Sequence, residues 1–195
     1  MKNIVLQKKL PLLIAITSLL IMSLLNMYGA SFISDLYSQA FKKQCLWIVV
    51  SLIAAFAIYK VNMNVLLKYS GLFYWLGCLS LVLVLKFGAN INGATSWFKI
   101  GGMSFQPSEL FKVFYLLHIA KVIGNTKKHD IKLFIKILLL TFIPCFLIFL
   151  EPDTGVVVMY ILMMFGLIWS SKIEKKYPII LITSGVVAAI SFFGL

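Results

Sequence analysis

The chain has 195 residues, of which 62% are hydrophobic and only 12% are charged. Soluble globular domains are about 45–50% apolar and roughly 25% charged, so this composition excludes a water-soluble enzyme, a nucleic-acid-binding domain and a disordered chain. The net charge of +12 comes from lysines in short clusters between apolar runs. That pattern is typical of loops that face an anionic membrane leaflet. We therefore predict a polytopic membrane protein with no nucleic acid partner.

Seven apolar runs follow one another along the chain. A membrane helix needs about 20 mostly apolar residues, and these runs are too long and too uniformly apolar to be barrel strands. We predict an all-α transmembrane helix bundle of about seven spans, forming a single transmembrane domain over residues 1–195. The predicted spans are residues 10–29, 44–61, 69–87, 107–123, 133–150, 154–171 and 178–195.

The lysines predict the orientation of these spans. All 18 basic residues are lysines. If the N-terminus is cytoplasmic, 13 of them fall in inside segments, 4 in outside segments and one, Lys112, within a span. Because basic residues concentrate on the cytoplasmic side, this asymmetry predicts a cytoplasmic N-terminus. Residues 88–106 then form an outer loop, and residues 124–132 form an inner one.

The cysteines predict no metal site. There are three, an odd number, and all lie inside apolar runs without the spacing of metal ligands. We expect buried free thiols at Cys45, Cys78 and Cys145.

A glycine-rich segment in the predicted outer loop is the first candidate for function. It reads NGATSWFKIGG over residues 92–102. Asn92 and Gly93 open it, and glycine permits left-handed backbone and close approach of another chain segment. Trp97 suits the membrane interface. The segment is either an interfacial loop with aromatic anchors or a loop folded back to line a site.

The start of the fourth span, QPSELFK over residues 106–112, is the second candidate. Pro107 suits the first helical position, and Glu109 falls in the first turn, where the helix dipole favours an anion. Lys112 lies three residues later on the same helix face, so the two side chains are expected to pair. Together with Gln106 and Ser108, they form either a helix end with a structural ion pair or a polar cavity. In such a cavity Lys112 would hold a phosphate or carboxylate, or orient a catalytic acid.

The segment EPDTG at residues 151–155, between the fifth and sixth spans, is the third candidate. Glu151 and Asp153 are two carboxylates that suit cation binding or acid–base chemistry. Asp153 immediately before a new helix is equally an N-cap residue. Both interpretations stay open for this segment, which also contains Pro152 and Gly155.

Together, these three segments resemble the N-terminal part of a SEDS protein (shape, elongation, division and sporulation), the group of RodA, FtsW and SpoVE. The residues that carry the resemblance are NGA at 92–94 with Trp97, FQPSEL at 105–110 with Lys112, and PDTG at 152–155. Tyr28 and Gln44 also fit, so the resemblance covers nearly the whole chain. The short tail before the first span fits RodA better than FtsW.

The resemblance implies a bacterial inner-membrane, multi-pass glycosyltransferase of about ten spans. Such a protein polymerises peptidoglycan from lipid II or a related undecaprenyl-linked precursor, together with a single-span transpeptidase, a class B penicillin-binding protein. It serves cell shape, elongation, division or sporulation. No cofactor is implied with certainty, and a divalent cation stays open. The implied cavity residues are Trp97, Gln106, Ser108, Glu109, Lys112 and Asp153, and the implied structural residues are Asn92, Gly93, Pro107, Pro152 and Gly155.

Two departures from the family pattern matter. Thr95 and Ser96 stand where the family has basic residues. The family's proposed catalytic Asp lies in a large outer loop after the seventh span, beyond Leu195. We therefore assign no catalytic residue and expect a chain truncated before that loop. Two alternatives stay open, namely a transporter (flippase) for a lipid-linked precursor and a non-catalytic membrane partner of a transpeptidase.

Overall fold

The computed structural model describes residues 2–33, 35–91, 93–100 and 103–193. These residues are mostly helical, which confirms the predicted helical fold. They form two compact units, residues 1–62 and residues 63–195. The single transmembrane domain over residues 1–195 stays a prediction.

The first unit is a pair of helices, α1 (Lys2–Ser31) and α2 (Asp35–Lys60), joined by a short turn. The Gln44 side-chain amide donates a 2.9 Å hydrogen bond to the Ser23 hydroxyl. The rings of Tyr28 and Phe41 lie 5.7 Å apart. Polar and aromatic contacts between otherwise apolar helices are the usual means of association in lipid, where burial of apolar surface gives no driving force.

The second unit contains five helices and a small sheet. The helices are α3 (Met63–Phe87), α4 (Pro107–Asn125), α5 (Ile131–Leu150), α6 (Thr154–Ser170) and α7 (Lys176–Phe193). Each of the seven predicted spans thus coincides with a helix within the described residues, and the fourth begins at Pro107 as predicted.

Within the described residues, four helical segments are long and apolar enough by themselves to cross a membrane: Leu10–Ser31, Tyr37–Lys60, Met63–Phe87 and Ile131–Leu150. Helix α4 has 19 residues but carries Glu109, Lys112 and Lys121. Helix α6 is apolar but only 17 residues long. Several of the described helices are thus able by length and composition to cross a membrane, as expected for a multi-pass membrane protein.

Buried tyrosines join the helices of the second unit. The Tyr74 hydroxyl of α3 donates to the Leu140 carbonyl oxygen of α5 at 2.6 Å. The hydroxyls of Tyr115 in α4 and Thr141 in α5 share a 2.7 Å hydrogen bond. All three side chains are buried. Each bond satisfies a polar group that would be costly to leave unpaired in an apolar interior.

The predicted outer loop contains a three-stranded antiparallel sheet, which the sequence analysis did not predict. Its strands are β1 (Ala89–Ile91), β2 (Ala94–Ile100) and β3 (Met103–Phe105), in the order β1-β2-β3. Gly93 makes the β1–β2 turn with a φ of +87°, a conformation that favours glycine. Gly88 joins α3 to the sheet, and a Cβ there would lie 2.3 Å from the Val84 carbonyl oxygen and 2.6 Å from that of Thr95.

The three cysteines are free thiols, as predicted. Cys78 is buried, whereas Cys45 and Cys145 are half-buried.

Candidate functional site

One end of the second unit brings polar residues from three predicted segments together. The side-chain amide of Gln106 donates to Asp153 Oδ2 at 2.7 Å. Ser96 Oγ donates to the main-chain oxygen of Glu151 at 3.3 Å. We call this group, together with Ser108, the sheet-end cluster; it consists of Ser96, Gln106, Ser108, Glu151 and Asp153. It joins strand β2, the start of α4, and the turn between α5 and α6.

The Asp153 carboxylate forms hydrogen bonds at the starts of two helices, α4 and α6. Its Oδ1 accepts a 3.2 Å hydrogen bond from the Val156 amide, which confirms the predicted N-cap of α6. Its Oδ2 accepts the hydrogen bond from Gln106. Both carboxylate oxygens therefore have hydrogen-bond donors.

Both side-chain and main-chain hydrogen bonds fix the start of α4. Pro107 occupies the first turn, as predicted, and Gln106 before it is extended, with φ −104° and ψ 112°. The Gln106 side chain bonds to Asp153 instead of capping its own helix. The buried Tyr160 hydroxyl of α6 donates to the Ser108 carbonyl oxygen at 2.9 Å. Ser108 Oγ is buried and has no partner within the described part of the chain.

Glu109 and Lys112 form the ion pair that the sequence predicts. Lys112 Nζ lies 2.6 Å from Glu109 Oε1. The Lys112 side chain is only 17% exposed, whereas that of Glu109 is 53% exposed. The lysine is thus partly covered one turn into the helix, and the glutamate faces outward above it. No hydrogen bond among the described residues joins this pair to the sheet-end cluster.

Glu151 is the most unusual member of the cluster. Its side chain is 0% exposed. Neither carboxylate oxygen has a hydrogen-bond partner among the residues that the structure describes. Burial raises the pKa of Glu151 to about 7. The nearby Ser96 hydroxyl, which bonds to the main-chain oxygen of Glu151, opposes this rise, and the charge of Asp153 adds to it. The sequence identified the carboxylate but not its burial, because burial depends on tertiary contacts such as the one with Ser96, 55 residues away in the chain.

The other predicted residues lie around the cluster rather than within it. Trp97 is half-buried on β2, opposite Ala89 of β1. Successive side chains of a strand point to opposite faces, so Trp97 points away from the face that carries Ser96. Pro152 and Gly155 are exposed at the turn and in the first turn of α6. Asn92 lies outside the described residues.

Tyr160, which bonds to the Ser108 carbonyl oxygen, was not among the residues predicted from the sequence. A hydroxyl within the otherwise apolar run of residues 154–170 was the available signal, since polar groups inside a span need partners. For a metal, no group of three His, Cys, Asp or Glu side chains comes together within the described ranges. The polar side chains of the cluster are Ser96, Gln106, Ser108, Glu151 and Asp153.

Comparison with known proteins identifies the family. Residues 9–195 match the family model FtsW/RodA/SpoVE, described as cell cycle protein. The chain belongs to this family. Curated relatives of this SEDS chain include a protein of Enterococcus hirae named "Probable peptidoglycan glycosyltransferase FtsW". It is 28% identical over 187 residues, which are 91% of this chain and 47% of the relative.

Solved structures have the same fold. A chain from a study of how a peptidoglycan synthase complex coordinates polymerization and crosslinking aligns with a TM-score of 0.74 at 23% identity, over 88% of this chain and 52% of that one. The rod shape determining protein RodA of Thermus thermophilus aligns with a TM-score of 0.68 at 25% identity, over 87% of this chain and 58% of that one. The aligned part of the SEDS chain spans less than half the length of the Enterococcus hirae relative.

Proposed function

We propose that this SEDS chain is part of a peptidoglycan glycosyltransferase of the bacterial inner membrane that polymerises lipid II or a related undecaprenyl-linked precursor. The observation that supports the proposal is the partly covered Lys112, held by Glu109 one turn into α4 of a SEDS-family chain. A cation that is kept from free solvent binds an anion more strongly than a surface lysine does, because the local dielectric constant is lower.

The reaction transfers a sugar from its lipid diphosphate to a sugar hydroxyl. A carboxylate takes the proton of the acceptor hydroxyl. The hydroxyl oxygen then forms the new glycosidic bond to the donor sugar, and the bond between that sugar and the diphosphate breaks. The lipid diphosphate leaves with the electron pair of that bond. In our proposal, Lys112 offsets the negative charge that develops on this leaving group. We assign the proton-accepting carboxylate to no described residue.

Other residues have positioning roles in this proposal. Glu109 orients the Lys112 ammonium through their 2.6 Å contact. The Gln106–Asp153 hydrogen bond fixes the start of α4 against the start of α6. In this proposal, the bond thereby fixes the position of Lys112 relative to α6. Trp97 points to the face of β2 opposite Ser96, and in this proposal it borders the space that a sugar would occupy. We propose a single-span transpeptidase as the partner, by analogy with the complex named for the structural relative.

The proposal is tested by polymerisation of labelled lipid II in proteoliposomes. The protein is expressed from its complete gene together with a single-span transpeptidase. We expect Lys112→Ala to lower the rate by about 100-fold, the usual loss when one group that stabilises transition-state charge is removed. Glu109→Ala should lower the rate less, because Lys112 keeps its charge.

The chain offers a matched control at Glu174 and Lys176, another ion pair, in which both side chains are more than half exposed. Lys176→Ala should leave the rate unchanged. Equal rates for the wild type, Lys112→Ala and Lys176→Ala would remove the proposed role of Lys112. If the wild type moves lipid II across the bilayer but makes no glycan, the transporter alternative replaces the polymerase.

A further inference from the structure

Two carboxylates lie two residues apart in the sheet-end cluster, and their surroundings differ. Asp153 accepts hydrogen bonds from the Gln106 side chain and the Val156 amide. Glu151 accepts none with its carboxylate among the described residues, although its side chain is fully buried. Donors stabilise an ionised carboxylate, and burial without donors disfavours it. Burial without a hydrogen-bond donor therefore favours the protonated form of Glu151.

The groups around Glu151 supply no compensating positive charge. The charge of Asp153, in the same turn, raises the pKa of Glu151. Strand β2 contributes the Ser96 hydroxyl, whereas Lys99 is exposed and lies on the opposite face of the strand from Ser96. In α4, Lys112 is paired with Glu109. Within the described residues, Glu151 forms no ion pair, so an ionised Glu151 would be an uncompensated buried charge.

We propose that Glu151 holds a proton while the sheet covers it, and that loss of this proton moves strand β2 away from the α5–α6 turn. Among the described residues, the hydrogen bond between β2 and the turn is the 3.3 Å bond from Ser96 to the Glu151 main-chain oxygen. Strand β2 is paired with both β1 and β3, so in our proposal the sheet moves together with it. The turn itself is held by the N-cap of α6 and the bond to α4. Displacement of β2 lets water reach the carboxylate.

The direction of the pH effect follows from the raised pKa of Glu151. Glu151 binds its proton more tightly when β2 covers it than when β2 is displaced. Protonation therefore favours the covered state over the open one to its full extent below the ordinary Glu pKa of 4.5. The preference is lost as the pH rises from there to about 7. Above about pH 7 both states are ionised, and the equilibrium no longer changes.

The test uses a thiol reporter at the contact. Ser96 is fully buried and close in size to cysteine, so Ser96→Cys reports uncovering of β2 through its rate of reaction with a maleimide. The native cysteines are replaced by alanine. The rate is measured in the Glu151 background and in a Glu151→Gln background, because glutamine has the shape of the protonated acid and cannot ionise. The ratio of the two rates at each pH cancels the intrinsic pH dependence of the thiol.

We expect this ratio to rise by up to tenfold per pH unit between about pH 4.5 and about 7, and then to level off. Glu174→Gln, a change at an exposed glutamate, is the matched control and should leave the pH dependence unchanged. A ratio that stays constant with pH would falsify the proposal, and so would the same pH dependence in the Glu151→Gln background.

Infrared spectroscopy gives a second readout that needs no reporter. A protonated carboxylic acid has a carbonyl band at higher frequency than a carboxylate. That band should be present in the wild type below about pH 7 and missing from Glu151→Gln. If both proteins give the same spectrum, Glu151 is ionised while covered and the proposal fails. Neither readout requires polymerisation, so the outcome is independent of the proposed glycosyltransferase activity.

Discussion

Asp153 stabilises two helices with one carboxylate. One oxygen caps α6, and the other holds the Gln106 amide at the start of α4. An N-cap contributes about 1 kcal/mol, and a hydrogen bond to a charged group about 1.5–3 kcal/mol. These two contributions depend on the same side chain, so a change at position 153 should affect both helix ends.

A double-mutant cycle measures this connection. We expect Gln106→Ala and Asp153→Ala each to lower the free energy of unfolding, and the double variant to lower it by about 1–2 kcal/mol less than the sum, because both remove the same bond. Reversible unfolding in mixed micelles provides the values. Asp130, which caps α5 through Leu133, is the control partner. The losses of unfolding free energy caused by Gln106→Ala and Asp130→Ala should be additive. If the losses for Gln106→Ala and Asp153→Ala are additive as well, the hydrogen bond between these two residues does not contribute to stability.

Local chemistry made some of these residues predictable. The Asp153 cap, Pro107 in the first turn of α4 and the Glu109–Lys112 pair all depend on neighbours within four residues. The partner of Asp153 is 47 residues away, and the residue over Glu151 is 55 residues away. Such contacts depend on how the helices pack, which one sequence does not specify.

Helices α3 and α4 pack tightly at Gly77. A Cβ built there would lie 2.1 Å from the Phe111 ring, which is buried and cannot move aside. Six residues earlier on α3, a Cβ at Gly71 would lie 3.5 Å from the nearest atom, in His118, which is an ordinary contact. Helix α3 thus has one glycine, Gly77, with no room for a Cβ, and another, Gly71, where a Cβ fits.

We expect Gly77→Ala to destabilise the protein by about 1–3 kcal/mol through overpacking. Gly71→Ala should be neutral or stabilising by about 0.5–1 kcal/mol, because alanine favours a helix. Unfolding in mixed micelles distinguishes the two. Equal effects would mean that α3 and α4 do not pack at Gly77, and Phe111→Ala should restore stability to Gly77→Ala if they do.

The helices were predictable as elements because each is a long apolar run, whereas the sheet was not. Strands β1 and β3 have three residues each, too few to show an alternating pattern. The signal that was available is Asn92-Gly93 between two strand-like runs, a dipeptide that favours hairpin turns. The aromatic residues of β2 favoured an interfacial loop instead.

At the scale of the whole molecule, the lysine distribution predicts a cytoplasmic N-terminus, and the proposed function requires the sheet-end cluster to lie on the outer side. Ser104, exposed on β3, and Lys128, exposed in the connection between α4 and α5, are suitable reporters. Each is changed to cysteine in a chain whose native cysteines are alanine.

In intact spheroplasts, a membrane-impermeant maleimide should label Ser104→Cys at once and Lys128→Cys only after the membrane is opened. The reverse result would place the sheet-end cluster in the cytoplasm and exclude an outer-face polymerase. Labelling of both positions after solubilisation is the control for thiol reactivity.

The junction at Gly88 sets a limit on variation in this chain. Two main-chain oxygens occupy the space where any side chain would begin, and a main chain cannot adopt another rotamer to make room. A saturation library at this codon should therefore return glycine alone among folded variants, whereas one at Gly93, where a Cβ would meet nothing within 4 Å, should also tolerate asparagine.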